Sequence, residues 1–179
     1  MSAQDARNSS EPYVIEAEVE KCKACRKCEL ACIASHNNLT IKEAAKKRGV
    51  FAPRVHVVKT DSVKMPVQCR QCEHAPCARV CPTRALVQEN GRVVMRAQYC
   101  AACKLCIMAC PYGAISLSFI GLPEEDDEGH LYGREVAVRC DLCSEWRERE
   151  GKASCACVEA CPAKALHMVP LSRYRALHA

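Results

Sequence analysis

The chain is short of the side chains that usually fill a protein core. Its 179 residues include one Trp, two Phe and seven Gly. A chain so poor in large apolar groups needs disulfides or bound metal to supply the missing stability. No run approaches the roughly 18 consecutive apolar residues of a membrane span. The opening MSAQDARNSSEP has no basic-then-apolar signal, and Arg7 stands alone, so there is no twin-arginine pair. No glycine-rich phosphate loop follows a predicted strand, which argues against a flavin or nicotinamide site. These absences predict a cytoplasmic chain with no membrane span and no catalytic constellation of its own.

What the chain has is cysteine, 17 residues in all. An odd number in a reducing compartment reads as metal ligation rather than a disulfide framework. The cysteines fall into four groups: Cys22, Cys25, Cys28, Cys32; Cys69, Cys72, Cys77, Cys81; Cys100, Cys103, Cys106, Cys110; and Cys140, Cys143, Cys155, Cys157, Cys161. Each begins C-x₂-C and each can end C-x₃-C. Three end in Cys-Pro, at Pro82, Pro111 and Pro162, so the chain is a fourfold repeat.

Groups one and three carry the C-x₂-C-x₂-C-x₃-C spacing of bacterial [4Fe–4S] sites. Three cysteines in a tight loop hold three irons of one cluster. The fourth, a helical turn later, points to the partner cluster, and the following proline breaks the helix. Structural zinc uses two separated knuckles around one ion, which this pattern does not match. Four such clusters would carry about −2 each, which turns the formal +5 into roughly −3 and removes the case for nucleic-acid binding.

Crossed ligation requires partner groups. Groups two and three are separated only by Pro82–Tyr99, room for one hairpin, so they read as a two-cluster ferredoxin module, with groups one and four pairing around it. The expected sets are Cys22, Cys25, Cys28, Cys161; Cys32, Cys140, Cys143, Cys157; Cys69, Cys72, Cys77, Cys110; and Cys81, Cys100, Cys103, Cys106. Pairing in tandem, one with two and three with four, is the alternative.

Strands are expected at Tyr13–Val19, Pro53–Thr60, Gly113–Phe119 and Arg134–Cys140, with a hairpin over Ala85–Met95 turning at Asn90-Gly91. A helix is expected over Thr40–Gly49, ended by Gly49, and a solvated acidic loop over Pro123–Gly129. The fold class is α+β, two nested bacterial-ferredoxin-like modules of short hairpins and short helices. The divisions run 1–12 as a flexible N-terminus, 13–65, 66–120 as the inner module, 121–169, and 170–179 as a tail. His74, inside group two, is the histidine best placed to tune a cluster. His36, His56, His130, His167 and His178 read as ordinary surface or packing residues.

The stretches CRQCEHAPCARVCPTRAL, CKLCIMACPYGAI and CDLC…CVEACPAKAL, within a match running from Tyr13 to Val169, resemble the four-cluster electron-transfer subunits of the dimethyl sulfoxide reductase type. Such subunits serve formate dehydrogenases, nitrate reductases, formate hydrogenlyase, carbon monoxide dehydrogenases and tungsten aldehyde oxidoreductases. The resemblance implies nested pairing and electron transfer between a catalytic subunit and a second redox partner. The first would be a molybdenum or tungsten pterin enzyme, a hydrogenase or a carbon monoxide dehydrogenase. The second would be a flavin subunit, a ferredoxin or a membrane-bound subunit. Self-association is a further expectation, and an iron–sulfur redox sensor or scaffold is the alternative function. One departure stands out. The family's usual interval in group four picks Cys155 as third ligand, since Cys143 and Cys155 enclose eleven residues and Cys143 and Cys157 thirteen. The chain's own repeats pick Cys157, because only Cys157–Cys161 reproduces C-x₃-C. A long loop absorbs two extra residues cheaply, so Cys155 is read as a non-ligand.

Overall fold

The computed structural model describes residues 11–178; most of the expected flexible N-terminus (1–10) lies outside the described residues. Among these, ten short strands and seven short helices are arranged around the cysteine groups. Strand β1 (Tyr13–Ala17) leads through a 3₁₀ turn at Val19–Lys21 into group one. Helix α1 (Lys27–Asn37) follows, then α2 (Ile41–Lys46), β2 (Val55–Lys59) and β3 (Lys64–Gln68). Group two contains α3 (Pro76–Arg79) and is followed by β4 (Leu86–Glu89) and β5 (Arg92–Met95). Group three contains α4 (Leu105–Ala109) and leads to β6 (Ser116–Phe119), β7 (Glu124–Glu125), β8 (Leu131–Tyr132) and β9 (Glu135–Val138). Group four holds α5 (Ser144–Arg149) and α6 (Ala156–Glu159), before β10 (Leu166–Pro170) and α7 (Leu171–His178).

The strands form two-stranded antiparallel ladders. Pair β2–β3 connects group one to group two, β4–β5 connects two to three, and β6–β9 connects three to four. The fourth connection is closed through space. Strand β10, which follows group four, pairs with β1, which precedes group one, in the register Tyr13↔Pro170 to Ala17↔Leu166. The first and last strands of the described residues therefore meet, and α7 packs on both, with the Leu171 amide donating to the Pro12 carbonyl at 2.8 Å.

Two cores follow. One contains Tyr13, Ile15, Cys28, Cys32, Val55, Val57, Cys140, Cys143, Cys155, Cys157 and Leu166, so it mixes groups one and four. The other contains Ala75, Cys77, Leu86, Val93, Cys106 and Ile115, with Cys72, Cys81, Cys100 and Cys110 at its edge, so it mixes groups two and three.

Several boundaries differ from the sequence expectation. The Asn90-Gly91 hairpin is present, and both residues have positive φ, 49° and 73°, as a type I′ turn requires. Helix α2 starts at a capping box between Thr40 and Glu43 but stops at Lys46; Gly49 does not take the left-handed conformation, and Val50 and Phe51 instead turn back onto the Lys47 carbonyl. Phe51 thereby reaches Ile33, Ala34 and Ala44 in a small side core. The acidic loop carries the short β7–β8 ladder, its turn held by Asp126 Oδ1 accepting from the amides of Glu128 and His130. The expected tail is helix α7.

Candidate metal centre

The C-x₂-C loops share one local geometry. The residue before the second cysteine has positive φ in every group: Ala24 at 51°, Gln71 at 49°, Ala102 at 51° and Leu142 at 62°. Arg26, Lys104 and Cys143 add a second left-handed residue in groups one, three and four. None of these is glycine, and each costs roughly 1–2 kcal/mol in this region. Such turns direct successive backbone N–H groups into a concavity suited to anions, including iron–sulfur sites.

The fourth cysteines show why proline follows them. After Cys81, Cys110 and Cys161, Pro starts a tight turn in which the third residue on, Arg84, Gly113 or Lys164, has positive φ and donates its amide to the cysteine carbonyl at 3.3, 3.2 and 3.1 Å. The chain then doubles back so that a later amide reaches the sulfur: Leu86 to Cys81 Sγ at 3.4 Å, Ala114 to Cys110 Sγ at 3.4 Å, Ala165 to Cys161 Sγ at 3.3 Å. Cys32 has no following proline. Helix α1 runs on to Asn37, and the sulfur takes its amide from Arg54 at 3.2 Å. An N–H donated to sulfur stabilises the thiolate, the form that binds metal. At Cys81 burial raises the thiol pKa, but the amides of Leu86, Ala85 and Thr83 and the Thr83 hydroxyl outweigh it and hold the group below its ordinary value.

The structure brings the predicted residues together across groups. Cys22, Cys25, Cys28 and Cys161 line one pocket, bounded also by Val57 and Leu166. Cys81, Cys100, Cys103 and Cys106 line another. Burial first and then the thiols of Cys69 and Cys110 push Cys77 up to about 11 and raise Cys72. Burial likewise raises Cys157 well above the ordinary range, and the thiols of Cys140, Cys32 and Cys143 add to it. Cys28 is pushed up to about 12 by burial and by Glu29, with Cys25 and Cys161 adding to it. Thiols this buried are held neutral until a metal replaces their protons. Four-thiol sets with amides aimed at sulfur fit a [4Fe–4S] cluster in donor type and count.

Cys155 is fully buried at the N-terminus of α6. Its Sγ donates to the Leu142 carbonyl at 3.2 Å and lies 3.8 Å from Met168 Sδ. Its contact with Cys143 is the largest influence on both pKa values, lowering that of Cys143 and raising that of Cys155.

His74 is exposed, and no hydrogen bond or ion pair engages it among the described residues. His36 is the histidine at the site, one helical turn after Cys32. Its Nδ1 lies 2.7 Å from the Cys32 carbonyl and 3.7 Å from Cys32 Sγ, and its Nε2 lies 3.0 Å from Asp141 Oδ1. A carbonyl and a carboxylate only accept, so both ring nitrogens donate and the ring is an imidazolium. Burial lowers its pKa, but the bonds to Asp141 and Cys32 prevail and raise it to about 10. Asp141, also paired with Arg54, is held well below the carboxylate range despite its own burial. His36, Asp141 and Cys143 place ligand atoms within 4.8 Å of one another. With both imidazole nitrogens already bonded, this is a hydrogen-bond network, not a separate metal site. Sequence spacing held one clue, since His36 repeats the i, i+4 interval from Cys32.

Arg139 touches residues of both cores' cysteine groups, donating to the Cys140 carbonyl and acting by its charge on Cys77. It is buried, has no carboxylate partner among the described residues, and leaves its Nε without a partner. Gln71 spans the same junction, from the Cys140 carbonyl at 3.4 Å to the Val93 amide at 2.9 Å.

Residues 60–170 match the model of a 4Fe-4S dicluster domain. The chain belongs to that family. It is 45% identical over 166 residues to an "Iron-sulfur protein" of Rhodospirillum rubrum, covering 92% of this chain and 86% of the relative. It is 37% identical over 173 residues to the electron transport protein HydN of Escherichia coli (strain K12), covering 92% of each. Formate hydrogenlyase subunit 2 of the same strain is 33% identical over 174 residues, covering 86% of this chain and 79% of that one. With these relatives, the cysteine sets identify an iron–sulfur electron-transport protein. No helix among the described residues is long and apolar enough to cross a membrane.

Proposed function

We propose that the chain is an electron-transfer subunit holding four [4Fe–4S] clusters in line between a catalytic oxidoreductase subunit and a second redox partner. The order is Cys22, Cys25, Cys28, Cys161; then Cys32, Cys140, Cys143, Cys157; then Cys69, Cys72, Cys77, Cys110; then Cys81, Cys100, Cys103, Cys106. The observation that carries this reading is the exchange of cysteines between distant groups: Cys161 lines the group-one cavity and Cys81 the group-three cavity. The β1–β10 ladder supports the nested over the tandem arrangement by drawing group four back to group one. Bound in these sites, the clusters supply one-electron exchange. The protein excludes water, donates amides to sulfur and sets the charge around each site.

The ends of this line are marked by exposure. Among the seventeen cysteines only Cys25 and Cys103 are exposed, one in each terminal set. Partners fit there, and the relatedness to formate hydrogenlyase subunit 2 favours a hydrogenase or formate-oxidising complex as the catalytic side. The substrate chemistry then belongs to that partner. The test is rapid mixing of reduced holoprotein with its co-purifying enzyme: electrons should pass within turnover time, and a redox-silent pairing would count against the proposal.

Arg139 supplies a second check. A buried guanidinium without a carboxylate needs a countercharge, and the thiolates of the two central sites provide it. Arg139→Gln should lower the potential of a central cluster by on the order of 50–100 mV, while Arg139→Lys retains most of it. Redox titration followed by electron paramagnetic resonance reads the shift; potentials unmoved in Arg139→Gln would contradict the assignment.

A further inference from the structure

The fourfold repeat provides an internal control for the two exposed ends. Aligning group one on group three through their cysteines matches Lys21 with Tyr99, Lys23 with Ala101 and Lys27 with Leu105. The backbone is the same at both ends: a 3₁₀ turn, a left-handed residue before the second cysteine and another after it, then a helix containing the third. The same scaffold therefore carries three lysines around Cys25 and three uncharged side chains around Cys103. All six are exposed.

The lysines are not used up internally. Lys21 pairs with Glu18 at 2.7 Å, but Lys23 and Lys27 have no ion pair among the described residues. Arg26 reaches Glu29 only at 3.9 Å, while Glu29 is already engaged by Arg48 at 2.7 Å and by the Val57 amide. Lys164, exposed beside Cys161, adds another unpaired charge to the rim. Against these stand Glu18 and the exposed Glu20. A rim with this excess of positive charge attracts an acidic surface, speeds encounter and loses that advantage in salt. The Cys103 end has Leu105 and Met108 exposed, Met108 at 83%, and its cations are Lys104, Arg84 and Arg134, the last held on the Ala97 and Gln98 carbonyls, none of them at a position matching Lys21, Lys23 or Lys27.

We propose that the Cys25 end is the docking surface for a small acidic electron-carrier protein, met transiently and steered by Lys21, Lys23, Arg26 and Lys27. The inference rests on the electron-transfer reading above. The step moves one electron from the reduced protein to the carrier's oxidised metal, with no bond made and no proton transferred. The line then has a transient, charge-steered port at one end, distinct in chemistry from the other.

The test uses reduced holoprotein and two oxidised acceptors, an acidic blue-copper protein and a basic c-type cytochrome, mixed by stopped flow from low to high salt. The reduction rate of the acidic acceptor should fall about tenfold or more as salt rises. The triple variant Lys21→Tyr, Lys23→Ala, Lys27→Leu gives this end the residues of the other, so it keeps a backbone the chain already tolerates. It should slow the acidic acceptor about tenfold at low salt and leave the basic one unslowed. Rates to both acceptors that ignore salt and variant, in protein of normal iron content, would overturn the docking surface alone. Protein that reduces neither acceptor would overturn the electron-transfer reading beneath it. Low-salt self-association abolished by the triple variant would overturn the carrier in favour of a second copy, whose acidic β7–β8 hairpin would be the occupant.

Discussion

Cys157→Ser should lower the iron content by about four atoms per chain, and Cys155→Ser should leave it unchanged. Both sulfurs are buried, only two residues apart, and near Cys140 and Cys143. They differ in what they face. Cys157 lies within α6, beside Cys140, Cys32 and Cys143, and retains the C-x₃-C step to Cys161 that every other group shows. Cys155 precedes the helix and donates its one proton to the Leu142 carbonyl, while its sulfur lies close enough to Cys143 to lower that neighbour's pKa. A thiol whose proton is held by a carbonyl can shape the neighbouring site without entering it. Iron analysis of the two variants decides between them. Normal iron in Cys157→Ser with loss in Cys155→Ser would reverse the assignment. Removing the thiol beside Cys143 in Cys155→Ala should shift that cluster's potential without loss of iron.

Removing the iron should unfold the chain. Six of the fourteen buried residues in the larger core are cysteines, five of them in the proposed ligand sets, so metal ligation takes the place of the aliphatic packing of an ordinary interior. Nine non-glycine residues in or just after the cysteine groups hold positive φ. At about 1 kcal/mol each their strain approaches the whole net stability of a typical domain, roughly 5–15 kcal/mol, and only ligation offsets it. Anaerobic chelation should therefore abolish native circular dichroism and protease resistance together. An iron-free chain with native-like dichroism and a cooperative melt would contradict this.

The iron–sulfur character was legible in the sequence because cysteine spacing is covalent arithmetic. A loop of two residues between thiols brings both to one site. The Asn90-Gly91 hairpin was legible for a similar reason, since few residues accept its dihedral angles. Strand β3 was not, because Pro66 sits in the middle of Lys64–Gln68; a two-stranded ladder leaves it an outer edge where no amide is needed. The end of α2 was misplaced because tertiary packing of Phe51, not glycine, turns the chain. His36 and Arg139 matter through partners 105 residues away and across two cores, distances that local pattern does not encode. The left-handed Ala, Arg, Gln and Leu residues were invisible too, since their conformations oppose their intrinsic preferences and follow from the sites they enclose.

The central claim is that four clusters occupy four cysteine sets drawn across the repeat. Iron and acid-labile sulfide, measured on anaerobically purified holoprotein, test it most directly. The account predicts about 16 of each per chain. A value near eight would leave two of the four sets unfilled, and zinc in place of iron would contradict the cluster assignment altogether.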